Sequence, residues 1–330
     1  MEVRGLSLRD MYVARQKLAG VVRRTPLIEA TGLGKSLAAN IVLKAENLQH
    51  TGSFKIRGAM NKFSSLSPAE RARGVIAVST GNHGRAVSYV AQQMGVPAVV
   101  CLSEAVPENK LSAIRDLGAE LVMGGKTYDA AAERAQALQR ERGLTMVHPF
   151  DDPLVIAGQG TIGIEILEDF PAIDTVVVPL SGGGLISGIG LALKTARRRT
   201  RVIGVTMDRG PAMVESLKAG KIVGVMEEPT LADALAGGIG RDNHYTFQMV
   251  QALVDETVLV SEHEIAAAMA YALEEHNLVL EGAGAVGLSA LLHGKVDVTG
   301  NQVAVVLSGG NVDVNALVRI VSDAGSPYIG

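Results

Sequence analysis

The stretch that decides the fold is Ser53-Phe54-Lys55-Ile56-Arg57-Gly58-Ala59, where a lysine follows an aromatic residue and precedes an arginine and a glycine. Alone, such a lysine reads as a solvated surface charge. Two later segments change that reading: Ser79-Thr80-Gly81-Asn82-His83-Gly84 and Ser181-Gly182-Gly183-Gly184-Leu185. Burial disfavours the ammonium form, so a lysine enclosed by such loops loses its proton readily. Neutral, it becomes a nucleophile able to form a Schiff base with an aldehyde.

Outward from this stretch the chain alternates. Ser7 can cap a first helix with Leu8, Met11, Tyr12 and Leu18 on one face. Thr25-Pro26-Leu27 ends that region. Residues 41–45 read as a strand leading into the lysine segment, and 58–64 as a helix. Strands are predicted at 75–78, 98–102, 120–123 and 145–147, with helices at 85–94, 108–117 and 129–142 between them. After His148-Pro149-Phe150-Asp151-Asp152-Pro153 the rhythm restarts, with helices at 155–170, 185–197 and 212–219 and strands at 175–178 and 202–205. Ser261 and Glu264 have capping-box spacing for a helix running towards Asn277, and 303–307 reads as a closing strand. Strands alternating with helices of this length imply parallel sheets covered by helices. The expected organisation is a large lobe from 1–64 and 150–330, with a small mobile substrate lobe over 74–149.

Composition narrows the function. A chain of 330 residues with 47% hydrophobic content buries a large interior. Net charge is only -3 and the basic residues are scattered, which excludes a nucleic-acid surface. The single cysteine, Cys101, lies in an apolar run; it forbids an internal disulfide and fits a reducing compartment. The N-terminus has no apolar signal segment, and no stretch reaches the ~20 apolar residues that span a bilayer. A cytoplasmic protein without membrane or nucleic-acid partners is expected.

Three times an apolar strand runs into a small, polar, glycine-rich loop followed by a helix: at Ser79–Gly84, at Ser181–Gly184 and at Ser308-Gly309-Gly310-Asn311. In parallel sheets such loops lie at the carboxyl ends of strands, where ligands bind. The triglycine loop suits a phosphate, because glycine lets backbone N–H groups approach an anion and the next helix offers its positive end. A lysine nucleophile and a phosphate cradle together lead to the reading that Lys55 carries pyridoxal phosphate. Gly158-Gln159-Gly160-Thr161-Ile162-Gly163 matches the dinucleotide pattern, but no clear strand precedes it and no acidic residue closes a second strand; it is read as a chance match. Metal-ligand and serine-hydrolase spacings are missing. In its loop His83 is expected to contribute a backbone N–H rather than its ring.

These four segments together resemble the fold type II pyridoxal-phosphate enzymes, an α/β fold with two parallel or mixed sheets flanked by helices. The branch they resemble is that of the threonine/serine dehydratases and serine racemase. The resemblance runs from about Leu8 to the last helix and includes His148-Pro149, Ala157-Gly158-Gln159-Gly160-Thr161 and Thr230-Leu231-Ala232-Asp233. It implies that Lys55 is the Schiff-base lysine, Phe54 packs beside the cofactor ring, and Asn82 bonds the ring hydroxyl. It implies a phosphate cradle of Ser181, Gly182, Gly183, Gly184 and Leu185, Ser308 facing the pyridine nitrogen, and Glu281 beneath the ring region. Ser79, Thr80, Asn82 and His83 would hold the substrate carboxylate. A homodimer is implied as well.

The chemistry expected is ammonia loss from a β-hydroxy amino acid of the threonine or serine type, giving a 2-oxo acid. A hydroxyl at the pyridine nitrogen makes a moderate electron sink, which favours early loss of a β-substituent. Lys55, displaced by substrate amine, would remove the α-proton as general base, and the β-hydroxyl would leave with help from the cofactor phosphate. Thr80, where biosynthetic dehydratases have alanine and the racemase serine, is either a carboxylate contact or a second acid/base that allows racemisation. Tyr128 stands where relatives active on a second carboxylate place arginine. Thr206, Gly210 and Ala212 occupy the positions of the racemase's cation site without a carboxylate, so no metal is expected. Ala234 replaces a glycine beside the imine, and no regulatory domain is expected after Gly330. The 79–85 loop and the 206–213 segment also resemble the dehydratase-like proteins of hydroxyectoine breakdown, which leaves a hydroxylated diamino acid open. The alternatives are an amino-acid racemase on the same fold, a nicotinamide dehydrogenase using residues 158–163, and a non-catalytic amino-acid-binding homologue.

Overall fold

Apolar strands buried on both faces need helices on either side. The computed structural model, which describes residues 1–79, 81–104, 108–125 and 128–323, shows that solution twice. In chain order the first elements are β1 (Glu2–Val3), β2 (Leu6–Ser7), α1 (Leu8–Leu18), β3 (Leu27–Glu29), α2 (Thr31–Ser36), β4 (Asn40–Ala45), α3 (Lys55–Phe63) and α4 (Pro68–Arg73). Then come β5 (Val75–Val78), α5 (Asn82–Met94), β6 (Ala98–Leu102), α6 (Glu108–Arg115), β7 (Glu120–Met123), α7 (Tyr128–Arg142) and β8 (Thr145–Met146). The chain continues through α8 (Pro153–Asp169), β9 (Thr175–Pro179), α9 (Gly184–Ala196), β10 (Arg201–Met207), α10 (Ala212–Ala219), α11 (Thr246–Leu253) and β11 (Glu256–Val260). It closes with α12 (Glu262–His276), α13 (Gly282–Leu292), β12 (Gln302–Leu307) and α14 (Val314–Asp323).

One sheet has the order β11-β10-β9-β12-β4-β3, parallel except for the antiparallel edge strand β3. The other has the order β7-β6-β5-β8 and is parallel throughout. Side chains alternate across each sheet. On the larger one, Val177, Val205, Val303 and Val305 join the core of α12 and α13, while Val176, Val178, Ala304 and Val306 join that of α8 and α9. On the smaller one, Ile76, Val99 and Cys101 meet α7, whereas Val75, Ala77 and Val100 meet α5 and also Ile56, Ala59 and Phe63 of α3. The lysine-bearing helix therefore packs into the core of the smaller sheet. Cys101 is fully buried there.

Several boundaries move. The helix expected from residue 58 begins at Lys55, and that expected from 85 begins at Asn82, so both proposed ligand-binding side chains occupy first helical positions. Tyr12 is 48% exposed; the buried face of α1 is Met11, Ala14 and Leu18. Residues 158–163 lie inside α8 rather than at a strand-to-helix turn. Their glycines are contact points: a Cβ would come within 2.6 Å of Arg57 O at Gly158, 2.6 Å of Met11 Sδ at Gly160 and 2.7 Å of Ala192 Cβ at Gly163. Close helix packing explains this glycine pattern, and no dinucleotide turn exists there. Among the described residues no helix is long and apolar enough to cross a membrane, and no group of three His, Cys, Asp or Glu side chains could hold a metal ion.

Candidate functional site

The lysine segment is fastened to the loop after β12. Phe54 N donates to Ser308 O at 3.1 Å and Gly310 N to Gly52 O at 2.9 Å, and Ser53 bridges Gly309. This places Lys55 at the carboxyl end of the larger sheet, where β12 runs into Ser308. Lys55 Nζ donates to Pro149 O at 2.9 Å and sits 5.1 Å from the Phe54 ring centroid. Burial brings its pKa down from 10.5 to about 8, opposed by the negative charge of Glu281.

Pro149 leads directly to the triglycine turn, because its neighbour Phe150 lies against it. A Cβ on Gly182 would fall 2.3 Å from the Phe150 ring, and one on Gly184 would fall 2.9 Å from Phe150 O. Gly183 caps α9 with a φ of +86°, a conformation open to glycine. The N–H groups of the first turn of α9 have no carbonyl within the helix to bond. A backbone cradle too tight for side chains, on a helix's positive end, is what a phosphate group requires. Ser181 Oγ donates to Leu235 O at 2.9 Å and so fixes the entry to the turn. Leu185 is buried behind it in the second core of the larger sheet.

On the opposite side, Asn82 Nδ2 donates to Glu281 Oε1 at 2.5 Å. Glu281 caps α13, and its N–H donates to Gly309 O at 3.2 Å, which ties it to the Ser308 loop. Ser308 Oγ is buried and donates to Ala283 O at 3.3 Å, with its acceptor lone pairs left available. Ser53 Oγ and Thr51 Oγ1 are buried polar atoms that lack a partner. Ser79 Oγ accepts from Gly81 N at 3.2 Å, while Thr80 and the side chain of Tyr128 lie outside the described residues. The structure thus joins Phe54, Lys55, Asn82, Glu281, Ser308 and the 181–185 turn through one connected set of contacts, with Ser79 directly after β5.

His83 is buried with Nε2 2.7 Å from Val147 O. A carbonyl only accepts, so the ring proton sits on Nε2. Burial first, then the charge of Lys55, holds its pKa near 3 despite the Val147 bond. His83 is a neutral pin between α5 and the end of the β8 segment. His148 Nδ1 accepts from Asp151 N at 2.7 Å and Phe150 N at 3.3 Å, and burial holds its pKa near 4 against the pull of Asp151 and Asp152. It shapes the loop that presents Pro149 O to Lys55.

A network of four charged groups, whose pairing the sequence did not reveal, is anchored on the same helix through Arg57. Arg57 bonds Glu46 Oε2 at 2.8 Å and Glu165 Oε1 at 2.6 Å, and Lys44 bonds Glu165 Oε2 at 2.6 Å. All four are buried. Burial alone would raise the Glu165 carboxyl, yet Arg57 and Lys44 hold it below the usual range. The available signal was charge inside apolar elements: Lys44 in a buried strand and Glu165 among the isoleucines of α8.

A lysine whose pKa is lowered by burial, a glycine cradle on a helix terminus and a buried serine hydroxyl on the adjoining loop fit an enzyme that holds a phosphorylated aldehyde. The residues present fit pyridoxal phosphate, and the comparisons with known proteins agree. The family described as pyridoxal-phosphate dependent enzyme matches residues 18–309, and the chain belongs to it. An L-threonine ammonia-lyase of Thermotoga maritima is 47% identical over 317 residues, covering 96% of this chain and 78% of its own. A threonine deaminase isoform of Solanum lycopersicum superposes with a TM-score of 0.88 at 35% identity, covering 96% of this chain and 87% of its own. A maize serine racemase superposes with a TM-score of 0.90 at 31% identity, covering 96% and 97%. The chain is a pyridoxal-phosphate-dependent enzyme of fold type II.

Proposed function

We propose that this enzyme is an ammonia-lyase for β-hydroxy amino acids, converting L-threonine, and L-serine in its place, to the 2-oxo acid and ammonia. The observation that carries the reading is Lys55 Nζ, lowered to about 8 and turned towards Pro149 O beside the triglycine turn. At neutral pH such an amine passes between charged and neutral forms, as a group that both gives and takes a proton must. When bound, pyridoxal phosphate supplies an electron sink for the bond that breaks at the α-carbon.

In this reading the chain does the rest. Backbone N–H groups of the 182–185 turn hold the phosphate, with Ser181 fixing the entry to that turn. Asn82 Nδ2 would donate to the ring oxygen, Phe54 would pack beside the ring, and the Ser308 hydroxyl would meet the pyridine nitrogen without fixing a full positive charge there. The loop at Ser79 and Thr80 and the start of α5 at Asn82 and His83 take the substrate carboxylate on N–H groups at a helix N-terminus. Lys55 Nζ removes the proton from the substrate α-carbon. The β-hydroxyl leaves as water, and the resulting enamine takes water back to release ammonia, so the net change is loss of ammonia. Glu281 keeps Lys55 from losing its proton too easily. A cytoplasmic homodimer with a mobile small lobe over 74–149 belongs to the same proposal.

The test is a panel of β-hydroxy amino acids assayed for ammonia and 2-oxo acid with purified, cofactor-loaded protein. L-Threonine turnover, abolished in Lys55→Ala, is expected. Exchange of the α-proton without 2-oxo acid would replace the lyase with a racemase, and no turnover on any member would refute catalysis of this class.

A further inference from the structure

A carboxamide donates from one end and accepts from the other, and its neighbours decide which end points where. Asn82 is joined to three other polar side chains in a line. Arg85 Nη1 donates to Asn311 Oδ1 at 2.7 Å, Asn311 Nδ2 donates to Asn82 Oδ1 at 2.6 Å, and Asn82 Nδ2 donates to Glu281 Oε1 at 2.5 Å. Asn311 Nδ2 also donates to Thr51 O at 2.9 Å. Three members of this set have fixed polarity: Arg85 can only donate, and the Thr51 carbonyl and the Glu281 carboxylate can only accept. Arg85 and Thr51 permit one orientation of the Asn311 amide, and it matches the one orientation of Asn82 that Glu281 can receive.

We propose that Asn311 and Arg85 are positioning residues that lock the Asn82 carboxamide with its NH2 group toward the cofactor. The inference rests on the reading above, in which Asn82 meets the ring oxygen. That oxygen is an acceptor, so the reverse orientation would set oxygen against oxygen. One Asn82 Nδ2 hydrogen goes to Glu281, and among the described residues the second has no partner. The relay also joins the two sheets' surroundings, since Asn82 and Arg85 lie three residues apart on α5 while Thr51, Glu281 and Asn311 lie in loops of the larger sheet. Both positioning side chains are half-buried, which limits their freedom to re-pair with water.

The test separates polarity from mere contact. Asn311→Asp keeps the shape but replaces the donor with an acceptor, which sets oxygen against Asn82 Oδ1 and opposes the orientation that Glu281 receives. Asn311→Ala breaks the relay without opposing that orientation. Cofactor titration of the cofactor-free proteins should show Asn311→Asp binding pyridoxal phosphate about 10- to 100-fold more weakly than wild type, the size of one lost bond to a charged acceptor. Asn311→Ala should fall between the two, and the pH titration of the bound cofactor's visible absorption should move in the same order. Arg85→Lys, still a donor, should bind more tightly than Arg85→Met; this pair decides the matter if Asn311→Asp fails to fold. Equal affinity and equal spectra across either set would overturn the relay. A wild-type protein that takes up no pyridoxal phosphate would refute the reading beneath and this inference with it.

Discussion

Replacing Lys55 with methionine should make the cofactor-free protein more stable at neutral pH, although it destroys the group proposed to hold the cofactor. The folded-state pKa of Lys55 is lowered from 10.5 to about 8 by burial. Below pH 8 the amine is charged in both folded and unfolded chains, and the folded chain bears the full penalty, roughly 3 kcal/mol. Between about 8 and 10.5 the unfolded chain binds the more protons, so stability rises with pH and the penalty fades. At pH 9.5 about 1.4 kcal/mol of it remains by the same linkage relation. Two effects reduce the gain at pH 7. Lys55 keeps some contact with solvent, and its bond to Pro149 O is lost, which costs about 1 kcal/mol. The expected net gain is about 2 kcal/mol, or about 3 °C in Tm for a chain of this size. Thermal unfolding of cofactor-free wild type and Lys55→Met at pH 7 and pH 9.5 measures it. The reasoning is refuted if the variant is no more stable at pH 7, or if its advantage does not shrink by pH 9.5.

The remaining predictions concern the cradle, the histidines and the buried charges. Gly182→Ala places a methyl 2.3 Å from the Phe150 ring; phosphate and cofactor affinity should drop at least tenfold, read by cofactor titration, and Phe150→Leu in the same chain should recover part of it. His83 is neutral in the fold because its pKa is held near 3, while an unfolded histidine takes up protons below about 6.5. Stability should therefore fall as pH drops from 6.5 towards 4. His83→Gln, still able to donate to Val147 O, should flatten that fall in urea unfolding followed by circular dichroism. Arg57→Met strips Glu46 and Glu165 of a shared partner and should cost about 3–5 kcal/mol, measured by the shift in urea midpoint; a change below ~1 kcal/mol would contradict the pairing.

Much of the fold was legible because its strands are short apolar runs between glycines and caps. Residues 75–78, 98–102 and 120–123 coincide with β5, β6 and β7, and the Ser261–Glu264 box starts α12 as the spacing required, with Ser261 N 2.7 Å from Glu264 Oε2. The parts that escaped lack periodicity or length. α13, Gly-Ala-Gly-Ala-Val-Gly-Leu-Ser-Ala-Leu-Leu, is buried almost all round and so shows no polar face, and two of its glycines face backbone: a Cβ would lie 2.2 Å from Leu231 O at Gly282 and 2.2 Å from Gly309 O at Gly284. The edge strand β3 has three residues, too few for alternation to register. The helix starts at Lys55 and Asn82 were read three residues late because neither has a Ser, Thr or Asp cap; Phe54 and Gly81 precede them. That error hid a structural fact, since both side chains stand on the first turn of a helix. Asn311 was quoted within its loop, but no sequence signal says which end of its amide faces Asn82.

Four buried charges, one of them Arg57 two residues from a lysine proposed to lose its proton, look self-defeating, yet they are arranged to be silent. Arg57 and Lys44 carry two positive charges, and Glu46 and Glu165 carry two negative ones, interlocked at 2.6–2.8 Å. Opposite charges this close cancel at a distance comparable with their separation. The lowered pKa of Lys55 accordingly traces to burial, opposed by Glu281, with no contribution from Arg57 despite its place in the same helix. Cohesion between α3, β4 and α8 is thus obtained without disturbing the amine. The carboxylate that acts on Lys55, Glu281, is the one that also receives Asn82, so the lysine's proton and the proposed ring contact meet at one residue. Removing Arg57 would break this balance as well as the packing, leaving excess negative charge beneath α3. The pKa of Lys55 should then rise above about 8, and cofactor capture by the cofactor-free protein should need a higher pH, even in a variant that still folds.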